Sequence, residues 1–158
     1  MTRLTHADEE GRARMVDIGD KSASARTAWA AGVITMSATA LDAIDANALA
    51  KGDALATARI AGIMAAKKTA ELVPLSHPIA LTDVGVDFEI DRALPGLRVK
   101  TWASTRDRTG VEMEALTAAT VALLTVYDMA KSLDRRMEIS AVHLTSKTGG
   151  KTGDWKRE

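Results

Sequence analysis

The residues from Gly110 to Lys131, GVEMEALTAATVALLTVYDMAK, limit what this chain can become more than any other stretch. No charge interrupts Ala115 to Tyr127, while Glu112 and Glu114 stand before that run and Asp128 and Lys131 after it. Small residues, Leu and Val fill it, and neither Gly nor Pro breaks it, which predicts a long helix. At 3.6 residues per turn, Glu114, Thr117, Val121, Leu124, Asp128 and Lys131 fall near one stripe. Acids suit the positive N-terminal end of a helix dipole, so Glu112 and Glu114 need no function to explain them. Asp128 faces the negative end and is electrostatically out of place. Lys131, one turn on, offsets this as an i,i+3 partner by about 0.2–0.5 kcal/mol. Two readings stay open here: a buried helix closed by an ordinary ion pair, and a helix carrying a reactive pair at its end.

The rest of the composition narrows the class. A chain of 158 residues, 46% apolar and 27% charged, suits one globular domain over 1–158 with a real core. Twenty-one basic residues balance twenty-one acidic ones. Neither nucleic acid nor an anionic membrane is therefore an expected partner, and any anion site must come from local clustering. One Tyr, one Phe and three Trp give no stacking platform for single strands. The absence of Cys excludes disulfides, thiolate metal sites and a Cys nucleophile, and it fits a cytoplasmic protein. The polar N-terminus has no signal-peptide pattern, and the uncharged run is too short to span a bilayer.

Residues 1–25 are polar with two Gly and no sustained period, and are expected to form a mobile arm. Arg26 closes it and leads into a strand through Val33–Met36. A short helix from a Ser37 or Thr39 cap follows. Lys51-Gly52 is a break, and Asp53 caps a second helix, ALATARIAGIMAAKKTAEL. There Gly62, costing about 1 kcal/mol of helix propensity, implies close packing against another element. Two prolines stiffen the loop Val73–Pro78. Val84, Val86, Phe88 and Ile90 alternate with polar or small neighbours, a half-buried strand. The turn Pro95-Gly96 and the alternating Leu97–Thr105 complete a hairpin. A last strand lies around Ile139–Thr145, and a polar Gly/Lys-rich tail, 147–158, is expected to be mobile. The resulting βαββαβ order is that of a ferredoxin-like α+β fold, with a four-stranded antiparallel sheet and helices on one face. Trp102 and the uncharged helix imply subunit contacts on the surfaces left over.

Among the histidines, His6 in the arm reads as incidental and His143 as a packed or edge residue. His77 stands on the stiff loop, where it can meet a ligand without being buried. Arg26, Lys51, Lys67, Lys131, Lys147 and Lys151 sit at structural breaks; each alone is a surface charge, together they suit a polyanion. GGKTG is not a P-loop: Thr145 stands where the pattern needs Gly, and too few residues follow for its helix. A basic Gly-rich tail folding over phosphates stays open, because Gly exposes N–H donors. No HExxH or GxSxG is present, and no metal site is expected. What remains is acid–base work by Asp128 and Lys131 with Glu112, Glu114 and His77. A free Lys has a pKa near 10.4 and needs burial or nearby cations such as Lys51 to act as a base.

These pieces together resemble the cyclic pyranopterin monophosphate synthases of molybdenum cofactor biosynthesis over nearly the whole chain. The resemblance rests on Met15–Ile18 with Lys21 and Arg26, Lys51-Gly52-Asp53, Ala58–Pro78, Thr109–Ala118, Leu124–Lys131 and Lys147–Asp154. It implies a lyase that converts (8S)-3',8-cyclo-7,8-dihydroguanosine 5'-triphosphate to cyclic pyranopterin monophosphate and releases pyrophosphate. It further implies a homohexamer, a trimer of dimers with sites between subunits, and a functional link to the upstream radical SAM enzyme that makes the substrate. By matching position, Asp128 and Lys131 are the acid–base pair with Lys51 in support. Leu75, Ser76 and His77, with Glu112, Met113 and Glu114, line the substrate pocket. Arg26, Lys67, Lys147 and Lys151 meet phosphates. No cofactor is implied as tightly bound, and Mg2+ enters only as a companion of the triphosphate.

One position departs from the family: Ser76 stands where Cys usually precedes the His of the loop. Ser is nearly isosteric and keeps a hydrogen-bonding group, which favours an orienting over a covalent role. Two other readings compete with the enzyme. A non-catalytic nucleotide-binding regulatory module would bind triphosphate without product, since fold does not fix function. A purely structural oligomer would bind no nucleotide.

Overall fold

The computed structural model describes residues 7, 8 and 10–158; His6 lies outside them. Strand β1, Ser24–Thr35, is the centre of the molecule. It is followed by α1 (Ala38–Asp45), α2 (Ala54–Ala66) and the single turn α3 (Thr69–Leu72). A hairpin of β2 (Leu81–Asp91) and β3 (Gly96–Asp107) leads into α4 (Glu112–Ala130), β4 (Glu138–Thr148) and β5 (Trp155–Lys156). All pairings are antiparallel, in the spatial order β2-β3-β1-β4-β5.

Local chemistry sets the element ends. Ser37 accepts from Ala40 N–H and Asp53 from Ala56 N–H, so both helices start at side-chain caps. Asp91 closes the hairpin by accepting from the amides of Ala93 and Leu94, and its other oxygen holds Arg98 at 2.8 Å. β1 and β3 pair without a slip from Ser24↔Asp107 to Thr35↔Gly96. β4 pairs with β1 through two bulges, and Ala141 in the second of them has φ +50°.

Period-two alternation divides the sheet. Ala28, Ala30 and Ile34 of β1 and Leu97, Val99, Thr101 and Ala103 of β3 are buried on one face. Helix α4 lies on that face, with Ala115, Ala118, Ala119, Ala122 and Leu123 fully buried, and α2 packs beside it. Trp29 and Trp102, paired across β1 and β3, are half-buried on the opposite face. Although α4 is long and apolar enough to cross a membrane, its buried face makes it the core helix of this sheet.

The structure corrects the four-stranded expectation to five. Trp155–Lys156 pairs with Ser146 and Lys147 through the backbone, so part of the tail expected to be mobile is an edge strand. The long second helix also divides: α2 stops at Ala66, and Lys68 takes φ −111°, ψ 13° before α3. Gly62 has the packing reason its sequence position implied. A Cβ there would lie 2.9 Å from the Ala118 carbonyl oxygen and 2.9 Å from Val86 Cγ2. Gly62→Ala is therefore expected to destabilise by about 1–2 kcal/mol, because crowding outweighs the propensity gain of about 1 kcal/mol. Thermal unfolding monitored at 222 nm should show a melting temperature lower by a few degrees; a rise would contradict this packing.

Candidate active site

Three segments, together with Lys147 of β4, converge on a cavity of about 510 Å³. The first is the loop after α3, where Ser76 N–H closes a turn onto the Val73 carbonyl and Leu75, Ser76 and His77 face the cavity. His77 Nε2 lies 2.8 Å from the Val16 carbonyl oxygen. A carbonyl can only accept, so Nε2 carries a proton and donates it here. The second segment is the start of α4. It has no side-chain cap, and Thr109, Gly110, Glu112, Met113 and Glu114 line the cavity. A side chain at Gly110 would occupy the space taken by the Glu112 carboxylate, which folds back there and meets Lys147 Nζ at 2.9 Å. The third is the stretch of the arm that carries Val16, Ile18 and Lys21.

A second cavity of about 480 Å³ adjoins, lined by Lys21, Ser22, Ser24, Arg26, Gly150 and Lys151 beside Asp20. Lys21 belongs to both walls. Arg26 is steadied by donating Nε–H to the Asp107 carbonyl at 3.0 Å. Gly149 and Gly150 have φ near +80°, and a side chain at either would strike Ala25 or the Arg26 guanidinium. Glycine thus lets the basic loop lie against β1. Lys67, at the end of α2, lines a cleft of about 150 Å³ on the other side of His77 and Glu114.

Lys51, Asp128 and Lys131 form a separate cluster. Asp128 accepts Lys131 Nζ at 2.7 Å on one oxygen and Lys51 Nζ at 2.8 Å on the other. Lys51 also donates to the Asp128 backbone carbonyl at 2.9 Å, satisfying the C-terminal end of α4. All three side chains are about half exposed. The cluster is about 21 Å along the helix axis from Glu114, at 1.5 Å per residue. One chain therefore brings together the loop, the acids and the cations Lys21, Arg26, Lys147 and Lys151, but not the Lys51–Asp128–Lys131 group.

The two ends of α4 hold their carboxyls in opposite states. Lys131 and then Lys51 pull Asp128 down to about 2. Burial pushes Glu114 up to about 7, against the hydrogen bond from its own amide, and the negative Glu112 adds to the rise. Only 3% of Glu114 is exposed. Such a carboxyl can give or take a proton near neutrality. Sequence reading singled out Leu75, Ser76, His77, Glu112, Met113, Glu114 and Lys147, which line this cavity, and passed over Val16, Ile18, Lys21, Ile79, Thr109 and Gly110. The alternating Val16 and Ile18 before Lys21 were the one local signal in the arm.

A half-open pocket with a titrating acid, next to a basic trough, suits a small anionic ligand. The chain belongs to the MoaC family, whose model matches residues 15–150. Proteins named cyclic pyranopterin monophosphate synthase from Brucella ovis, Brucella melitensis and Brucella canis are similar to it. Each is 54% identical over 153 residues, covering 97% of this chain and 93% of the relative.

The raised Glu114 has a thermodynamic signature. The folded state holds its proton between pH 4.5 and about 7, where the unfolded chain releases it, so stability falls as pH rises through that window. The full cost, about 3 kcal/mol, is reached above pH 7. Glu114→Gln is thus expected to be more stable than wild type by up to about 3 kcal/mol at pH 8.5 and nearly equal to it at pH 4.5. Urea unfolding at the two pH values checks this, and a difference independent of pH would rule it out.

Proposed function

We propose that this protein is a cyclic pyranopterin monophosphate synthase. It converts (8S)-3',8-cyclo-7,8-dihydroguanosine 5'-triphosphate to cyclic pyranopterin monophosphate and pyrophosphate, an early step of molybdenum cofactor biosynthesis. The observation that carries this reading is the two-part site, a cavity of about 510 Å³ opening beside a basic one, in a chain 54% identical to synthases of that name. In this reading the bicyclic ring system sits among Leu75, Ser76, His77, Met113 and Glu114. The triphosphate runs toward Lys147, Arg26 and Lys151, with Lys21 at the seam. Glu112 is neutralised by Lys147 and does not repel it. Lys67, behind His77, is an outer contact.

Proton transfer falls to Lys131. Asp128 stays ionised down to about pH 2 and is a poor acceptor at neutral pH; it orients Lys131 and Lys51 by hydrogen bonds from both. Because that cluster stands about 21 Å along α4 from Glu114, a second copy of the chain supplies it to each cavity. We read the assembly as a homohexamer, a trimer of dimers, each subunit a single domain with a ferredoxin-like core extended by β5. The substrate then comes from an upstream radical SAM enzyme in the cytoplasm. Among the described residues no three His, Asp or Glu side chains group to hold a cation. Mg2+ would therefore ride on the triphosphate, and no step is routed through it. A non-catalytic nucleotide-binding module is disfavoured by relatives that are named as synthases over nearly their full length.

Turnover of the cyclised dihydroguanosine triphosphate, followed by pyrophosphate release and by fluorescence of the oxidised pterin, is expected of the wild type. Lys131→Ala should lose about 100- to 10,000-fold in rate with circular dichroism and oligomeric mass unchanged. Full activity in that variant would remove Lys131 from the chemistry. Mixing Lys131→Ala with His77→Ala subunits should restore part of the activity, since some hybrid interfaces keep both halves intact. No recovery on mixing would argue for sites confined to one subunit.

A further inference from the structure

The arm lines one wall of the main cavity without forming a strand or helix, and it is held there by two bonds from distant elements. His77 Nε2 meets the Val16 carbonyl at 2.8 Å. Arg108 Nη1, from the end of β3, donates to the Gly19 carbonyl at 3.0 Å. Between these points the strap has its own tight turn: Asp17 Oδ1 accepts from Gly19 N–H at 2.8 Å, and the Ile18 carbonyl accepts from Lys21 N–H at 3.1 Å. Gly19 sits inside that turn, so a clamp on its carbonyl fixes the turn as a unit. The residue that follows, Lys21, lines both cavities. The neighbouring Asp107 carbonyl holds Arg26, which lines the second cavity. The end of β3 thus anchors two of the cations around the trough, one directly and one through the strap.

We infer that Arg108 is a positioning residue for the reaction: by clamping the Gly19 carbonyl it closes the 16–21 strap over the cavity and sets where the Lys21 ammonium meets the triphosphate. The guanidinium presents a planar fork of donors, which suits it to hold a backbone carbonyl. Arg108 does not line either cavity, which separates its role from direct substrate contact. Without the clamp the closed strap becomes one state among several, and apparent affinity falls by the fraction that remains closed. Bound substrate restores closure through Lys21, so the loss appears in KM and not in kcat.

The kinetic half of the test rests on the proposed synthase activity; the other half does not. In hydrogen–deuterium exchange on the full chain without substrate, the Gly19 and Lys21 amides of Arg108→Ala should exchange about five- to tenfold faster than in wild type, with α4 unchanged. In turnover of the cyclised dihydroguanosine triphosphate, KM should rise about five- to tenfold with kcat altered less than about twofold, and Arg108→Lys should recover part of the loss. Unchanged strap exchange overturns the clamp. Accelerated exchange with unchanged KM, or a loss in kcat alone, overturns the positioning role. If wild type gives no product, the synthase reading fails, and the affinity of inorganic triphosphate for wild type and Arg108→Ala takes the place of KM.

Discussion

The close seating of α4 on the sheet is the constraint on which the rest depends. Four fully buried alanines, Ala115, Ala118, Ala119 and Ala122, let its backbone approach both β-strands and α2. Glycines complete the approach from the other side. A Cβ at Gly32 of β1 would lie 2.8 Å from Leu123 Cδ1, and one at Gly62 of α2 would crowd the Ala118 carbonyl. The Thr101 hydroxyl, buried on β3, donates to the Ala115 carbonyl at 2.7 Å and fixes the helix along its axis. A small-residue interface of this kind has few alternative packings, because any slide drives Leu123 or Ala118 into backbone. The two ends of α4 are thereby held at a set separation, and so are the two sets of charged groups that they carry.

That separation gives one helix two carboxylates with opposed chemistry. Glu114 enters the core at the N-terminal end, where burial dominates and no cation among the described residues pairs with it, and its carboxyl is pushed up to about 7. Asp128 remains in solvent at the other end between two ammonium groups and is held down near 2. Environments that drive two acids apart in this way assign them different work: the first can exchange a proton near neutrality, the second serves as a fixed anion. The dipole of the helix would favour the reverse order, since it stabilises charge at Glu114 and opposes it at Asp128. Burial and direct ion pairs, each acting at contact distance, outweigh it at both ends.

How much of this was legible in the sequence follows from the range of the signals. The hairpin was readable because Val84 to Ile90 alternates strictly and Pro95-Gly96 marks its turn. The caps Ser37 and Asp53 and the uncharged run of α4 were readable for the same local reason. The loop around His77 and the acids of α4, singled out by their residue types and their likeness to a family, line the main cavity. β5 was not, because two residues pairing through the backbone leave no pattern of side chains. The break after Ala66 was hidden by residues that all favour helix. Lys51 joins Asp128 across 77 positions of sequence, and Arg108 reaches Gly19 across 89. No periodicity encodes such contacts. The arm suffered most: Val16, Ile18 and Lys21 acquire a role only through partners on the third strand and the proline-framed loop.

Ser76, where the resemblance leads one to expect Cys, can be placed by the same accounting of partners. A serine nucleophile needs a base within hydrogen-bond reach and a third group to orient that base. His77 follows Ser76 directly, but its Nε2 proton is committed to the Val16 carbonyl. Among the described residues no hydrogen bond joins the Ser76 hydroxyl to His77 or to Glu114, and Glu114 carries its proton through much of the neutral range. The hydroxyl is thus bonded to neither acid nor imidazole in this structure, whereas the Ser76 amide is engaged in the turn that presents the loop to the cavity. The side chain contributes a small polar surface to that wall, which a thiol of similar shape would supply equally well. The acid–base reading of the site stands without any covalent step at this position, and exchange between Ser and Cys leaves its other parts in place.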